Sequence, residues 1–175
     1  MRFACEPLSR RQIRDYTRYI REYLNLNGAL WFPVVGFLET MHSLIGDDDF
    51  NAECVEDDAL PPGIHAQYDL HANVIQIKES VYLGASNGNG RDRMTVAHEC
   101  GHVLFLRHSK LKLARSFDDN VPTYCDPEWQ AKCFAGELLI PADLVRGMSA
   151  SEIASKCGVS LQAAEYQLKI NSRSA

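Results

Sequence analysis

His98-Glu99-Cys100-Gly101-His102, just past the middle of the 175-residue chain, places a glutamate between two histidines that are four positions apart. Side chains four residues apart lie on the same face of an α-helix, so both imidazoles can bind one zinc ion. The glutamate between them then lies beside a water molecule that the metal activates. The spacing therefore predicts a metal-dependent hydrolase.

The residues around the motif predict the helix that it needs. Apolar side chains recur from Met94 to Leu106, and Asp92 is a candidate N-cap, which predicts a helix over residues 93–106. Two ordinary helix histidines beside a surface glutamate are the alternative explanation of the same pattern. The buried character of the helix favours a metal site.

Composition and charge narrow the class of protein. The chain is 46% hydrophobic, and its length fits one globular domain. A formal net charge of -5 and a pI near 5.6 argue against a broad nucleic-acid-binding surface, which needs clustered Lys and Arg.

The location that we predict is the cytoplasm, with no membrane contact. Residues 1–14 lack the apolar core of a signal peptide, and the longest apolar stretch, residues 28–38, is too short to cross a bilayer. Six cysteines without CxxC spacing indicate reduced thiols.

The remaining patterns predict helices and a small sheet. We expect one helix over residues 9–25 and a second that Pro33 opens and Gly46 follows. Short strands are expected at residues 50–55, 64–68 and 74–77, of which the last is a core strand or pairs through its edge with an extended substrate. The glycine-rich residues 84–90 are expected to form a flexible connection, with a mobile rim of the active cleft as a weaker alternative.

A catalytic zinc site needs a third protein ligand, and two candidates follow the motif. His108 falls where an extended HExxHxxGxxH pattern places its third histidine, but Phe105 replaces the glycine that lets the helix stop. Glu128 follows Asp126 and Pro127, an N-cap and a first-turn proline, so a new helix begins there and directs Glu128 near its apolar face. A glutamate that merely complements the helix dipole explains Glu128 equally well from these residues.

Two blocks together resemble the ImmA/IrrE family of intracellular metallopeptidases. They are RDRMTVAHECGH, residues 91–102, and EWQAKCFAGELLIP, residues 128–141. The usual family blocks are R-x-R-F-T-x-A-H-E-L-G-H and E-x-x-A-N-x-F-A-x-x-L-L-M-P. The resemblance implies one Zn²⁺ ion held by His98, His102 and Glu128, with Glu99 as the catalytic base. The chain departs from the family pattern at Cys100, at Lys132 and at Leu106, and none of these changes removes a ligand or the base.

The resemblance also implies a fold and a domain plan. We expect a zincin-like α+β fold in which a small, mostly antiparallel sheet packs on the helix of the HExxH motif, with helices around it. A metallopeptidase domain is placed at residues 1–147. A helix-turn-helix-like extension at residues 148–175 is expected to pack on the same domain.

The carboxyl end has the spacing of a helix-turn-helix, beginning with a capping box at Ser149 and Glu152. The second helix of this pair carries Lys169 as its one cation beside Glu165, which disfavours direct DNA binding. A packed helical pair that completes the domain or docks a protein substrate fits better.

The function that the resemblance implies is that of a zinc endopeptidase with a specific protein substrate. That substrate is expected to be a helix-turn-helix transcriptional repressor of a mobile element, a stress response or a toxin-antitoxin-like system. The alternative is a non-catalytic zinc module that binds DNA or a regulator through its C-terminal helices. The sequence leaves open the native metal, the oligomeric state and the donor to the oxyanion, for which Tyr82, Tyr124, His71 and His108 are candidates.

Overall fold

The structure is a computed structural model that describes residues 2–108, 114–116 and 121–173, and the side chains of residues 5–107 and 121–172. The described residues form eight α-helices, a three-stranded sheet and a separate two-stranded pair, the α+β architecture that the sequence predicts. In chain order the elements are β1 (Arg2–Ala4), α1 (Arg10–Tyr23), α2 (Val34–Glu39), α3 (Met41–Ile45), β2 (Asn51–Val55), β3 (Ala66–Asp69), β4 (Val74–Lys78), α4 (Glu79–Ser86), α5 (Gly90–His108), β5 (Ala114–Ser116), a 3₁₀ helix (Thr123–Cys125), α6 (Pro127–Leu139), α7 (Ala150–Cys157) and α8 (Leu161–Arg173).

The three-stranded sheet is mixed and has the order β2-β4-β3. The central strand β4 is parallel to β2 and antiparallel to β3, where Tyr68 lies opposite Ile75. Both edges of β4 are therefore occupied, and the expectation that residues 74–77 pair with a substrate is wrong. The strands β2 and β3 are the edges of this sheet in the described part of the chain.

The core is centred on the contact between α5 and α6. One face of α5 is fully buried, and so is most of α6, including Phe134 and Leu138 at 0% exposure. Burial of a side chain of this size contributes about 1.5–3 kcal/mol. A Cβ on Gly101 would lie 3.1 Å from Cα of Ala131, so the glycine allows the two helices to approach closely.

Two predicted helix boundaries are corrected by the structure. The second predicted helix is in fact two helices, α2 and α3, which are separated at Thr40. The Thr40 hydroxyl donates to the carbonyl of Gly36 at 2.8 Å, a contact that bends or interrupts helices. Asp92 lies inside the first turn of α5 and is not its cap. The cap is Asn89, whose side-chain oxygen accepts from the backbone N–H groups of Arg91 and Asp92 at 3.0 and 3.2 Å.

The helix α4 was not predicted, because glycines at its end resembled a flexible connection. Gly84 is helical, and a Cβ there would collide with the side chain of Asp92 on α5. The glycine therefore serves close packing between α4 and α5. The expected flexible connection over residues 84–90 is wrong for its first half.

The C-terminal helices α7 and α8 pack against the rest of the chain. The capping box of Ser149 and Glu152 is confirmed, and α7 ends at Gly158 in the left-handed region, at φ 64°. Arg93 of α5, buried at 2% exposure, donates to the carbonyl of Gly158 at 2.9 Å. A boundary between residues 147 and 148 stays a prediction.

No helix in residues 2–108, 114–116 and 121–173 combines the length and the apolar character of a membrane span. The structure describes all six cysteines, and each is an unpaired thiol.

Candidate metal centre

Two helices bring the predicted ligands together. His98 and His102 lie one turn apart on α5, and Glu128 lies in the first turn of α6. The side chain of Asp126 caps α6 by accepting from the N–H of Glu128 at 2.9 Å, and Pro127 occupies the first helical position. The local sequence thus starts α6 beside α5, and the packing of the two helices aims Glu128 at the histidines.

The three side chains form a small triangle. Nε2 of His98 lies 3.0 Å from Nε2 of His102. Oε2 of Glu128 lies 3.4 Å from His98 Nε2, and Oε1 of Glu128 lies 3.2 Å from His102 Nε2. One ligand atom from each residue lies within 4.8 Å of the other two. Tetrahedral zinc ligands at about 2.0–2.1 Å from the ion are roughly 3.3 Å apart, so the nearest separations are close to those that the ion needs.

The donor set also has the chemistry of a zinc site. Two imidazole nitrogens and one carboxylate oxygen are common zinc ligands and leave a fourth position open. The imidazoles are mostly buried, at 19% and 11% exposure, whereas the Glu128 side chain is 60% exposed and borders the cleft. In the described residues, these three form the one group of His, Cys, Asp or Glu side chains that could hold an ion.

Hydrogen bonds from His102 and His98 hold the pKa of Glu128 well below its usual range. The carboxylate is therefore ionised at neutral pH, which is the form that binds a cation.

Glu99 is buried beside the triangle, at 6% exposure. Burial is the main influence on its pKa and raises it, while the nearby His102 and His98 act in the opposite direction. The backbone N–H of Tyr68 on β3 approaches the Glu99 carboxylate and also lowers its pKa. Glu99 therefore lies between the metal helix and the edge of the sheet.

A cleft of about 600 Å³ opens onto the triangle. One wall is α5 with the start of α6, and the other is the strand β3 with its flanking residues. Its lining residues are Ile64, Ala66, Gln67, Tyr68, Leu70, His71, His98, Glu99, His102, Leu106, Pro127 and Glu128.

The candidates for the oxyanion donor lie in different places. His71 lines the cleft. Tyr82 instead donates to Glu39 and lines a separate cavity, and Tyr124 is 52% exposed and is not among the cleft residues. The side chain of His108, which was also the rival third ligand, lies outside the described residues.

The departures from the family pattern leave the site intact. Cys100 is fully buried, and burial raises the pKa of its thiol, as expected for a packing residue. Lys132 is exposed on α6, away from the cleft residues, and Leu106 forms part of the cleft wall.

The contact between Glu99 and the backbone of Tyr68 was not predicted. A strand signal at residues 64–68 was present, but the approach of a backbone N–H from its edge carries no side-chain pattern. The apolar cleft residues Ile64 and Leu70, at 39% and 37% exposure, also gave no signal, because isolated exposed apolar residues are common.

The fold and the site together define an α+β protein with a HExxH helix and a carboxylate from the next helix. The family model of peptidase M78, described as the IrrE N-terminal-like domain, matches residues 55–169. The chain belongs to this family. No curated protein matches the chain.

A solved structure described as a Mycobacterium tuberculosis transcriptional regulator is similar in fold. The TM-score is 0.59 at 16% sequence identity, over 89% of this chain and 46% of that chain. The chain thus spans less than half of that protein, and at this identity the likeness concerns the fold alone.

Proposed function

We propose that the protein is a zinc-dependent endopeptidase in which His98, His102 and Glu128 hold one Zn²⁺ ion and Glu99 is the general base. The observation that carries the proposal is the triangle of three side chains, whose nearest nitrogen and oxygen atoms lie 3.0, 3.2 and 3.4 Å apart, beside a buried glutamate. A purely structural zinc site has four protein ligands and no use for a base. Membership of a peptidase family supports the same assignment.

Each functional group of the cleft has a separate role in the proposed hydrolysis. When bound, zinc supplies a Lewis acid that polarises a peptide carbonyl and lowers the pKa of a water molecule. Glu99 removes a proton from the attacking water and later delivers it to the departing amine. The N–H of Tyr68 approaches the Glu99 carboxylate and favours its ionised form, which is the form that accepts the proton.

The edge of β3 is proposed to bind the substrate as an additional strand. Lys78 N–H donates to His65 O at 3.1 Å, so residues 65 and 67 face β4, while both backbone groups of Ala66 and the carbonyl of Tyr68 point away from it. This edge borders the cleft. An extended segment of a protein can pair with it and place a peptide bond at the triangle.

The proposed substrate is a helix-turn-helix transcriptional regulator in the cytoplasm. Support comes from the peptidase family to which the chain belongs. The C-terminal helix α8 exposes Leu161 and Tyr166 at 52% and 56%, which suits contact with a protein better than contact with DNA.

The test compares cells that express the wild type with cells that express Glu99→Gln, and it identifies new protein amino termini by mass spectrometry. We expect one or a few proteins to be cleaved in the presence of the wild type alone. The variant keeps the size of the side chain and the zinc ligands but loses the base, so its metal content should be unchanged. Cleavage of the same proteins by Glu99→Gln would show that Glu99 is not the base.

A further inference from the structure

Cys5 and Cys125 lie in contact although 120 positions separate them along the chain. The backbone N–H of Cys5 donates to the carbonyl of Cys125 at 2.9 Å, and the Cys5 thiol donates to the same oxygen at 3.2 Å. Cys5 is buried and Cys125 is half-buried. Neither residue is part of the proposed metal site.

Further hydrogen bonds join residues 5–8 to residues 124–130. Leu8 N–H donates to the carbonyl of Tyr124 at 2.9 Å, and the Gln130 amide donates to the carbonyls of Glu6 and Tyr124 at 2.7 and 2.8 Å. A disulfide spans Cα atoms about 4.4–6.8 Å apart. The hydrogen bonds of the Cys5 N–H and thiol to the carbonyl of Cys125 bring the two residues into direct contact, with the Cys5 sulfur against the backbone of Cys125.

The other four cysteines offer no equivalent pair. Cys100, Cys133 and Cys157 are buried, and burial raises the pKa of Cys133 to about 12. Cys54 is exposed and lies on the edge strand β2. It is the natural control for a thiol that is accessible but has no cysteine partner in the described residues.

We propose that Cys5 and Cys125 are a redox modification site that a hydroperoxide converts to an intramolecular disulfide. The Cys125 sulfur attacks one peroxide oxygen, the O–O bond breaks, and a sulfenic acid and one water molecule form when hydrogen peroxide is the oxidant. The Cys5 sulfur then attacks the Cys125 sulfur, and the sulfenic oxygen leaves as a second water molecule. Two thiols lose two hydrogen atoms, and the peroxide is reduced to water.

The order of the two cysteines follows from burial. Burial raises the pKa of Cys5 to about 11, with a further contribution from a thiolate on Cys125, so Cys5 is a poor first nucleophile. Cys125 is more accessible to a small oxidant. Cys5 is then the resolving thiol.

The disulfide would link residue 5 to the 3₁₀ helix that precedes α6. Cys125 lies three positions before Glu128. A cross-link that closes a long loop restricts the unfolded chain, and the native contacts are already in place. We therefore expect oxidation to raise the melting temperature by about 5–10 °C.

The experiment treats the reduced 175-residue chain with hydrogen peroxide, alkylates the remaining thiols and maps the digest by mass spectrometry without reductant. The expected product is a peptide pair joined through Cys5 and Cys125, which dithiothreitol separates. It should form in the wild type and in Cys54→Ser, and much more slowly in urea-unfolded protein. Cys125→Ser should form no such product and should show no peroxide-dependent rise in melting temperature.

Two results would overturn the proposal. One is recovery of both cysteines as alkylated or over-oxidised single peptides after peroxide treatment of the folded protein. The other is pairing of Cys125 with a different cysteine, or equal rates of pairing in folded and unfolded protein.

Discussion

At the scale of single residues, Glu128 shows what the local sequence predicts and what it does not. Asp126 and Pro127 predict where α6 begins, and the structure confirms this start. The choice at Glu128 between a metal ligand and a residue that only complements the helix dipole depended on resemblance, because the approach of α6 to α5 is a contact between segments distant in sequence. The role of Glu128 as a metal ligand stays a proposal that metal binding tests.

His71 is the proposed donor to the oxyanion, because it is the one of three described candidates that lines the cleft. The turn that carries it is fixed by Asp69, whose side chain accepts from the His71 N–H at 2.8 Å. We expect His71→Ala to lower kcat by about 10²–10³-fold and to leave the bound zinc unchanged. The measurement is the cleavage rate of the protein that the amino-terminal comparison identifies.

The matched control is His42→Ala, which removes an exposed histidine of α3 beside a different cavity. Its rate should equal that of the wild type. Equal rates for both variants would exclude His71 from the reaction.

At the scale of elements, periodicity and capping predicted most helices and all three strands of the mixed sheet. The helix α1, the start of α6, and the pair α7 and α8 follow apolar spacing and caps closely. The break at Thr40 and the cap at Asn89 are local features that periodicity did not identify, whereas the missed helix α4 depends on packing between elements. Gly84 looks like a loop residue in sequence, but it lies in α4, where the lack of a Cβ leaves room for the side chain of Asp92.

The contact of α5 with α6 depends on Gly101. We expect Gly101→Val to lower the free energy of unfolding by about 1–3 kcal/mol, because the added atoms meet Ala131 and the buried Phe134. It should also weaken zinc binding, because the ligands of the two helices are forced apart. Urea unfolding and zinc titration of the same preparations measure both effects.

Gly36→Ala is the control, because a Cβ there meets nothing within 4 Å on the helix α2. It should leave zinc binding unchanged and raise stability by up to about 1 kcal/mol. The packing account fails if Gly101→Val is as stable as the wild type and binds zinc with wild-type affinity.

At the scale of the whole molecule, the sequence did not predict how the separate helices are joined. The side chain of Glu137 on α6 is completely buried and accepts from Arg10 at 3.0 Å, from Arg14 at 2.7 Å and from Gln167 at 2.9 Å. These partners belong to α1 and α8, so one carboxylate links three helices. The hydrogen bond to Glu137 also raises the pKa of Arg14. In sequence, Glu137 is one glutamate within an apolar helix and gives no sign of its partners.

We expect Glu137→Gln to lower the free energy of unfolding by about 3 kcal/mol, because two arginines lose a buried counter-charge. The control is Asp143→Asn, which removes the negative charge of the ion pair with Arg18 at 2.7 Å. Both of these side chains are more than half exposed. That loss should stay below about 1 kcal/mol. Chemical denaturation measures the free energy of unfolding of the two variants. Equal losses of this free energy in both variants would contradict a special role for Glu137.

The sheet order and the cleft also belong to this scale. The parallel pairing of β2 with β4 makes β4 central, and it leaves β3 as the edge beside the metal helix. Local patterns specify strands but not their neighbours, so the sequence left edge pairing at residues 74–77 open although β4 is the central strand.

The most direct test of the account is the position of zinc in crystals of the zinc-loaded protein, located by anomalous scattering at the zinc absorption edge. The account predicts one peak at about 2.0–2.1 Å from Nε2 of His98, Nε2 of His102 and a carboxylate oxygen of Glu128, and no such peak in Glu128→Ala. A peak on the cysteines, or a peak at the two histidines that is unchanged in Glu128→Ala, would contradict it.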